Sequence, residues 1–502
     1  MMRTVVGPTS RAVVIGAGLA GLSAAMRLAG TGREVMVLER EAGPGGRAGR
    51  LVRSTAAGSY RFDTGPTVLT MPDLIDDCFD AVGEDRADWL QLDPVTPLYR
   101  ARFHDGSSLD VVADTDDMAS RIADFAGAAE ADGYREYVRF VSQLYRLEMR
   151  SFIDRNFDGP LSLAAPDLAR LVRIGGMRRL APAVQKYLKD ERLQRVFSFQ
   201  SLYAGVSPQQ ALAIYAVIAY MDSVAGVYFP RGGMYALPQA MAAAAGKHGV
   251  KFRYNAEVDR IEHDEKRARA VILSDGERIP VDTVVVTTDL PTARARLLRR
   301  PLRRPLRSSP SCYLLLAGAP GVDEDAAHHT ISFGRSWAGV FDELNSGRLM
   351  SDPSVLVSRP TVSDPSLAPT GHSTYYVLFP TPHLRHRTRI DWDAMAPAYR
   401  EHLTQVLIER GLADLSRTDV EHVITPADWQ RMSMHDGTPF AASHVFSQTG
   451  PFRPGNLWGE NVVFAGSGTV PGVGVPMVLI SGRLAAERIS GVDGGYQSRA
   501  WR

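Results

Sequence analysis

The chain has 502 residues, which is enough for two or more domains and a large core. A net charge of +1 argues against general nucleic-acid binding, which needs a strong basic excess. Its two cysteines, Cys78 and Cys312, are too few for a disulfide framework or a cysteine metal cluster, and they favour a reducing cytoplasm.

The hydropathy pattern argues against secretion and against a membrane span. The first ten residues lack the apolar core of a signal peptide. The longest apolar stretch, 211–221, is too short to cross a bilayer and is followed by Asp222. We therefore expect a protein that is soluble or peripherally bound to a membrane.

Residues 11–40 predict a strand, a turn, a helix and a second strand, with the strands "RAVVI" and "EVMVLE" and the helix "GLSAAMRLAGTG". The turn between the first strand and the helix contains Gly16, Gly18 and Gly21 in a G-x-G-x-x-G pattern. Such glycines allow a tight turn, close approach of a pyrophosphate and close helix–strand packing. Glu39 ends the second strand, where a carboxylate can accept hydrogen bonds from ribose hydroxyls. These features predict a dinucleotide site, and both NAD and FAD fit it.

A second glycine turn, Gly45-Gly46-Arg47, follows at once. It offers a further backbone surface, and its arginine can contact phosphate oxygens. A simple NAD dehydrogenase has no evident need for such a turn, whereas an extended FAD runs past it. This turn therefore favours FAD.

Short strands and helices are predicted for 73–130, with a hairpin turn at Asp105-Gly106. Residues 131–225 read as mostly helical. Within them, Leu168–Lys189 is basic and amphipathic, and it is either a membrane-binding surface or a solvated face. Residues 250–290 return to strands. A second candidate membrane contact is the run of arginines that follows: Arg299, Arg300, Arg303, Arg304 and Arg307.

Near the C-terminus, the strand "NVVFA" leads through "GSGTVPGVGVP" into the helix "MVLISGRLAAERI". An FAD held by its ADP end at the first glycine turn still needs its flavin end held. This distant turn can supply backbone N–H groups and the Thr469 hydroxyl. The positive end of the helix that starts near Pro476 suits the negative charge of a reduced flavin. The alternative is a surface loop.

Several segments, in order along nearly the whole chain, resemble the bacterial phytoene desaturases, carotenoid desaturases within the flavin amine-oxidase superfamily. They are "AVVIGAGLAGLSAAMRL", "LEREAGPGGRAGR", "FDTGPTVLTMP", "GVYFPRGGMYALPQAM", "AHHTISFG", "TGPFRP" and "VVFAGSGTVPGVGVP". The resemblance implies FAD, a p-hydroxybenzoate-hydroxylase-like fold and stepwise dehydrogenation of 15-cis-phytoene toward lycopene. Ser467 stands where many wider-superfamily members have an acid, which weighs against an amine oxidase.

The resemblance assigns the FAD contacts residue by residue. The implied set is Gly16, Gly18, Gly21, Glu39, Gly46, Arg47, Gly65, Pro66, Val258, Gly468, Thr469 and Val475. An Asp and an Arg proposed as catalytic in some members correspond here to Arg139 and Ser142, so that proposal is not carried over.

The implied architecture is α/β, with a discontinuous Rossmann-type FAD-binding domain, a discontinuous mixed α+β substrate domain and a helical membrane-facing part. The expected FAD-binding domain comprises 10–72, 228–292 and 455–495. The expected substrate domain comprises 73–130 and 293–454. Residues 131–227 form the expected helical part.

The sequence shows no Ser–His–Asp, Cys–His or metal-spaced cluster, and no metal is predicted. His328-His329 offers only two ligands and is better read as hydrogen-bonded structure. Asp222 is the candidate catalytic residue because it interrupts an apolar stretch just before "GVYFPRGG". The alternative is an exposed or helix-capping Asp.

The sequence is also compatible with three other functions. They are another carotenoid desaturase or isomerase, a flavin amine oxidase, and a non-catalytic FAD-binding protein. For a phytoene desaturase we expect a long apolar polyene substrate and a quinone or oxygen as electron acceptor. We also expect peripheral association with the inner face of the cell membrane, and no nucleic-acid partner.

Overall fold

The computed structural model describes residues 2–159, 166–386 and 389–492. Its strands, in chain order, are β1 (Arg11–Ile15), β2 (Glu34–Leu38), β3 (Arg50–Thr55), β4 (Gly58–Asp63), β5 (Leu92–Pro94), β6 (Tyr99–Arg102), β7 (Ser108–Val111), β8 (Tyr228–Pro230), β9 (Lys251–Arg253), β10 (Val258–His263), β11 (Ala268–Leu273), β12 (Arg278–Pro280), β13 (Thr283–Val286), β14 (Ser311–Pro320), β15 (His329–Ser332), β16 (Val355–Ser358), β17 (His372–Thr381), β18 (Val420–Ile424), β19 (Leu457–Trp458) and β20 (Val462–Phe464).

The α-helices are α1 (Leu19–Gly30), α2 (Asp73–Asp80), α3 (Thr115–Ala126), α4 (Ala128–Glu148), α5 (Pro166–Arg173), α6 (Leu180–Gln185), α7 (Glu191–Val196), α8 (Val217–Ser223), α9 (Ala236–Lys247), α10 (Leu290–Thr292), α11 (Trp337–Asn345), α12 (Trp392–Glu409), α13 (Pro426–Arg431) and α14 (Val475–Ser490). None of the helices in the described ranges is both long and apolar enough to cross a membrane.

A six-stranded sheet, in the order β19-β20-β13-β1-β2-β9, is built from three distant parts of the chain. Every neighbouring pair is parallel except β19–β20. Short apolar runs such as "RAVVI" form its centre because a parallel sheet is buried on both faces. The carboxyl ends of β1, β2, β13 and β20 therefore lie at one edge. The predicted α/β class, with its Rossmann-type sheet, is confirmed.

A seven-stranded sheet follows the order β18-β14-β17-β16-β15-β6-β7. Its long strand β14 is buried almost throughout and pairs antiparallel with both β17 and β18. The predicted hairpin is present as β6 and β7, with Tyr99 opposite Val111. The strands predicted in 250–290 divide between two sheets. Strands β10, β11 and β12 form a small antiparallel sheet, whereas β9 and β13 join the six-stranded sheet.

The basic stretch Leu168–Lys189 is not one continuous helix. It divides into the end of α5, a turn and α6. Gly175, at the turn, has φ of +90°, a conformation that glycine adopts without the steric cost that other residues pay. The domain boundaries given above stay a prediction.

Candidate cofactor and active site

The two distant glycine turns leave the same edge of the six-stranded sheet. The first follows β1 and the second follows β20, with only β13 between them. At the usual strand spacing, the two turns begin about 10 Å apart. One extended ligand can therefore reach both, as the sequence predicts.

The three glycines of the first turn differ in what surrounds them. A Cβ on Gly21 would lie 2.1 Å from the Gly16 carbonyl oxygen, so Gly21 is required for packing. Gly16 has φ of +103° and a Cβ there would meet Thr287 Oγ1 at 2.4 Å. By contrast, the nearest atom to a Cβ on Gly18 is the Gly45 carbonyl oxygen at 3.9 Å. The open space at Gly18 is a cradle that a side chain would fill and a pyrophosphate fits.

The helices that begin at the two turns both have free N-termini. The N-caps of α1 and α14 are Gly18 and Gly474, and neither helix has a capping side chain or an acidic residue in its first turn. The first-turn N–H groups of a helix need acceptors, and they favour an anion. Both turns thus offer main-chain donors to anionic or hydrogen-bond-accepting groups of a ligand.

Glu39 is buried beside the first turn. Its carboxylate accepts hydrogen bonds from the N–H of Ala17 at 2.7 Å and of Glu41 at 3.0 Å. Each oxygen retains a lone pair for a ribose hydroxyl. The Glu39 carbonyl accepts from the N–H of Ala256 at 2.8 Å. Val258, at the start of β10, is therefore held near the expected adenine end.

The Gly45–Arg47 turn packs directly on the first glycine turn. Gly45 donates its N–H to the Ala17 carbonyl at 2.9 Å, and a Cβ on Gly46 would lie 3.4 Å from the Gly18 Cα. Gly65, in the segment with Pro66, approaches so closely that a Cβ would lie 1.8 Å from the Arg47 carbonyl oxygen. These segments therefore lie on one side of a common site.

Arg47 connects this side to the C-terminal turn. Its Nη1 donates to Ser467 Oγ at 2.6 Å. Burial lowers the pKa of Arg47, and the nearby Asp289 opposes that shift. Asp289 is not among the predicted site residues, although an acid three residues after the buried strand β13 could have marked it. Asp289 gives the partly buried arginine a countercharge.

In the C-terminal turn, Gly468 packs against Leu290, where a Cβ would lie 2.6 Å from the Leu290 Cβ. Thr469 Oγ1 donates to the Pro454 carbonyl at 2.8 Å, so its proton is already used and the oxygen can only accept from a ligand. Val475 is buried at the start of α14. Ser23 Oγ of α1 donates to the Leu479 carbonyl at 2.8 Å, which fixes α14 against α1.

Asp222 lies in α8 and is only 3% exposed, so the alternative of an exposed Asp is wrong. Ser223 Oγ donates to Asp222 Oδ1 at 2.7 Å, and Tyr99 Oη lies 3.1 Å from Ser223 Oγ. Burial raises the pKa of Asp222 to about 7. Among the described residues, no hydrogen bond or ion pair links Asp222 to the glycine turns.

A series of aromatic contacts begins at Tyr99, beside the hydrogen bond between Ser223 and Asp222. Tyr99 packs edge-on against Phe199 with ring centroids 5.4 Å apart. Phe333 contacts Phe199 at 6.1 Å and stacks on Phe103 at 5.6 Å. Asp222 is therefore a titratable group within an apolar, aromatic part of the molecule.

His328 and His329 are buried and hydrogen-bonded, in agreement with the interpretation that both residues are structural. The two ring nitrogens of His329 lie 3.2 Å from the Leu98 carbonyl and 3.1 Å from the Thr67 carbonyl. Burial lowers the pKa of His329 to about 4. In the ranges that the structure describes, no group of three or more His, Cys, Asp and Glu side chains has metal-binding geometry.

Comparison with known proteins identifies the family. Residues 19–490 match the model of the flavin containing amine oxidoreductases. A phytoene dehydrogenase of Streptomyces griseus is 54% identical over 98% of this chain and 97% of its own length. A zeta-carotene-forming phytoene desaturase of Myxococcus xanthus is 37% identical over 95% of this chain and 93% of its own length.

The fold is also that of solved structures. An oxidoreductase of Methanosarcina mazei has a TM-score of 0.60 and 17% identity, with 94% of this chain and 99% of that chain covered. FAD as the cofactor and the resemblance to bacterial phytoene desaturases are confirmed, and the protein is an FAD-dependent oxidoreductase acting on CH–CH bonds. This chain belongs to the flavin containing amine oxidoreductase family, within its branch of carotenoid desaturases.

Proposed function

We propose that the enzyme dehydrogenates 15-cis-phytoene toward lycopene. The observation that carries the proposal is the meeting of two glycine turns, each with an uncapped helix N-terminus, in a chain 54% identical to a phytoene dehydrogenase. The zeta-carotene-forming relative indicates that the number of desaturation steps differs among such enzymes. Another carotenoid desaturase reaction is therefore the alternative outcome.

The proposed FAD contacts are the residues assigned by resemblance. Gly16, Gly18 and Gly21 would receive the pyrophosphate at the start of α1, and Glu39 and Val258 the adenosine. Gly46, Arg47, Gly65 and Pro66 would flank the central part. Gly468, Thr469 and Val475 would hold the flavin end. When bound, the flavin supplies an acceptor for a hydride from an allylic carbon.

The protein itself has two tasks. It positions the polyene, and it stabilises or removes the positive charge that hydride loss leaves on the polyene. We propose that Asp222 stabilises the developing polyene cation or accepts the proton whose departure completes the double bond. Its buried setting supports this role, because burial raises the pKa of Asp222 to about 7 and a group with such a pKa can exchange a proton near neutral pH. The aromatic side chains near it suit a hydrocarbon substrate.

We further propose peripheral binding to the inner face of the cell membrane, from which the enzyme draws its water-insoluble substrate. Arg173, Arg178 and Arg179 are exposed, and Val172 beside them is 56% exposed. The neighbouring pair Phe446 and Phe452 is 53% and 42% exposed. Exposed apolar side chains beside basic ones are typical of a surface that binds anionic lipid.

Hydrogen bonds connect the segments that carry these exposed groups. The N–H of Ala213 donates to the Arg178 carbonyl at 2.8 Å, and Tyr215 Oη lies 2.7 Å from Thr449 Oγ1. The segment 213–215 thus joins the basic turn to the loop that carries the two phenylalanines. The electron acceptor in this setting is proposed to be a membrane quinone or oxygen.

The test is product analysis in cells that accumulate phytoene, with the flavin spectrum of the purified protein. Lycopene or an earlier desaturation product supports the proposal and gives the number of steps. A flavin-containing protein that leaves phytoene unchanged and does not transfer electrons from it contradicts the proposal. Oxidation of an amine by that protein would favour an amine oxidase instead.

A further inference from the structure

Arg453 lies directly behind the C-terminal glycine turn. The residue is 3% exposed. Its Nε donates to the Thr469 carbonyl at 3.1 Å, and its Nη2 donates to the Ser467 carbonyl at 2.8 Å. Its Nη1 donates to the Gln448 carbonyl at 3.2 Å. The guanidinium group therefore holds the turn from the side of the protein core.

This buried charge has no acidic partner among the residues that the structure describes. The hydrogen-bond acceptors of Arg453 there are all main-chain carbonyl oxygens. Burial lowers the pKa of Arg453 to about 10, so the group stays charged at neutral pH. A buried cation without a countercharge costs free energy unless a ligand or partner offsets that cost.

The positive charge of Arg453 also affects the nearby side chain of His444. His444 lies against Gly472, where a Cβ would meet its Nε2 at 2.6 Å. Burial first, and the Arg453 charge second, hold the pKa of His444 well below its usual range. Arg453 is thus the charged group behind this turn, and the adjacent imidazole remains neutral.

We propose that Arg453 is an electrostatic positioning residue whose buried charge favours the reduced, anionic form of the FAD held at this turn. The inference rests on the proposed placement of the flavin end beside Gly468 and Thr469. A hydrocarbon substrate brings no charge of its own, and the pyrophosphate, proposed to lie at the first glycine turn, has the same charge in both redox states. Reduction of the flavin is therefore the step that adds negative charge near Arg453. The N-terminus of α14 acts in the same direction. Coulomb interactions of this kind are strong where water is excluded.

The test measures the two-electron midpoint potential of bound FAD in the wild type, Arg453→Met and Arg453→Lys. We expect Arg453→Met to lower the ratio of reduced to oxidised FAD at least tenfold, which is a shift of about 30 mV. Arg453→Lys keeps the charge and should retain most of the wild-type potential. An unchanged potential in Arg453→Met, or equal losses in both variants, would overturn the proposal.

A matched control separates charge from packing. Arg195 is also 3% exposed and donates to the carbonyls of Gly334 and Arg335, outside the FAD-binding segments, although unlike Arg453 it also pairs with an acid, Glu191. Arg195→Met removes a buried arginine of the same size and should leave the potential unchanged. A shift in Arg195→Met as large as that in Arg453→Met would mean that loosening the protein, and not the charge, changes the potential.

A measurement on the wild type keeps the proposal testable if Arg453→Met loses its FAD. Reduction to the anionic form takes up two electrons and one proton, so the potential should fall by about 30 mV per pH unit between about pH 6 and pH 8. A slope of about 59 mV per unit means a neutral reduced flavin and overturns the proposal. Failure of the wild type to bind FAD would instead refute the FAD site itself.

Discussion

At the residue scale, the three glycines of one motif have three different surroundings. Gly21 is required by the fold itself, because a Cβ would lie 2.1 Å from the Gly16 carbonyl oxygen. Gly18 has no such neighbour, since the closest atom to its Cβ is 3.9 Å away. The fold tolerates a side chain at Gly18, and we expect a bound ligand to use the space that the glycine leaves.

Gly18→Val should therefore abolish FAD binding while leaving the apoprotein folded. The valine fills the space that the pyrophosphate needs, and its extended backbone at φ of −75° suits any residue. Flavin absorbance and circular dichroism of the purified variant measure the two effects. Gly246→Ala, in α9 with no atom within 4 Å of its Cβ, is the control and should bind FAD normally. A Gly18→Val protein with full flavin content would disprove the assigned role.

Asp222→Asn keeps the size of the side chain and removes its titration. If the carboxylate is the active form, the wild-type rate rises with pH through about 7, because burial raises the pKa of Asp222 to that value. The variant should lose this rise and convert phytoene at least tenfold more slowly, which corresponds to about 1.4 kcal/mol. Rates and FAD content are measured on one preparation across pH. Undiminished product formation at normal FAD content would remove Asp222 from the mechanism.

The pH dependence of protein stability gives a second, independent test of the raised pKa of Asp222. The pKa of Asp222 is higher in the folded state than the usual value of 3.8, so the folded protein binds this proton more tightly. That contribution is complete below about pH 4 and disappears as the pH rises through about 7, with a size on the order of a few kcal/mol. The melting temperature of the wild type should therefore fall more between about pH 5 and pH 8 than that of Asp222→Asn. Equal losses would show that the carboxyl group is not buried as described.

At the scale of elements, glycine and proline explain where the sequence prediction succeeds and where it fails. The strand–turn–helix units at both ends of the chain are predictable because short apolar runs flank dense glycine. The stretch Leu168–Lys189 has helical periodicity, but Gly175-Gly176 ends α5, and the chain turns before α6. Periodicity alone does not reveal the break, because the basic side chains stay exposed on both sides of it.

Membrane binding is tested by reversing the charge of this exposed surface. Arg173→Glu, Arg178→Glu and Arg179→Glu together should abolish flotation with anionic vesicles at low salt, since each basic side chain near the surface contributes about 1 kcal/mol. Phe446→Ser with Phe452→Ser should weaken binding that persists at high salt. The comparison variant reverses the charge of two arginines in the second basic run, Arg303→Glu and Arg304→Glu. If only that variant loses binding, the second run is the membrane contact.

At the scale of the whole molecule, sequence patterns predict which segments form the cofactor site. They do not predict the side chains that connect those segments. Both glycine turns, Glu39 and Arg47 have recognisable sequence patterns, and the structure brings them together at one sheet edge. Asp289 follows a recognisable strand and Arg453 lies in the segment "TGPFRP", but neither pattern assigns a role to the side chain. Their roles arise from packing. Asp289 acts on Arg47, which is distant in the sequence, and Arg453 donates to the carbonyl of Ser467, whose hydroxyl accepts a hydrogen bond from Arg47. Single-sequence periodicity carries no information on such pairs.

Because one ligand is expected to bridge both turns, FAD should stabilise the apoprotein more than either of its halves. A ligand that binds only the folded state raises stability by about 2.7 kcal/mol at a hundredfold excess over its dissociation constant. ADP can occupy the first turn and riboflavin the second, but each loses the advantage of being linked to the other. Melting temperatures with FAD, ADP, riboflavin and both halves together measure this difference, and Gly18→Val should remove the response to ADP and FAD. If ADP alone gives the full shift of FAD, the flavin end does not contribute to binding, and the C-terminal turn has another purpose.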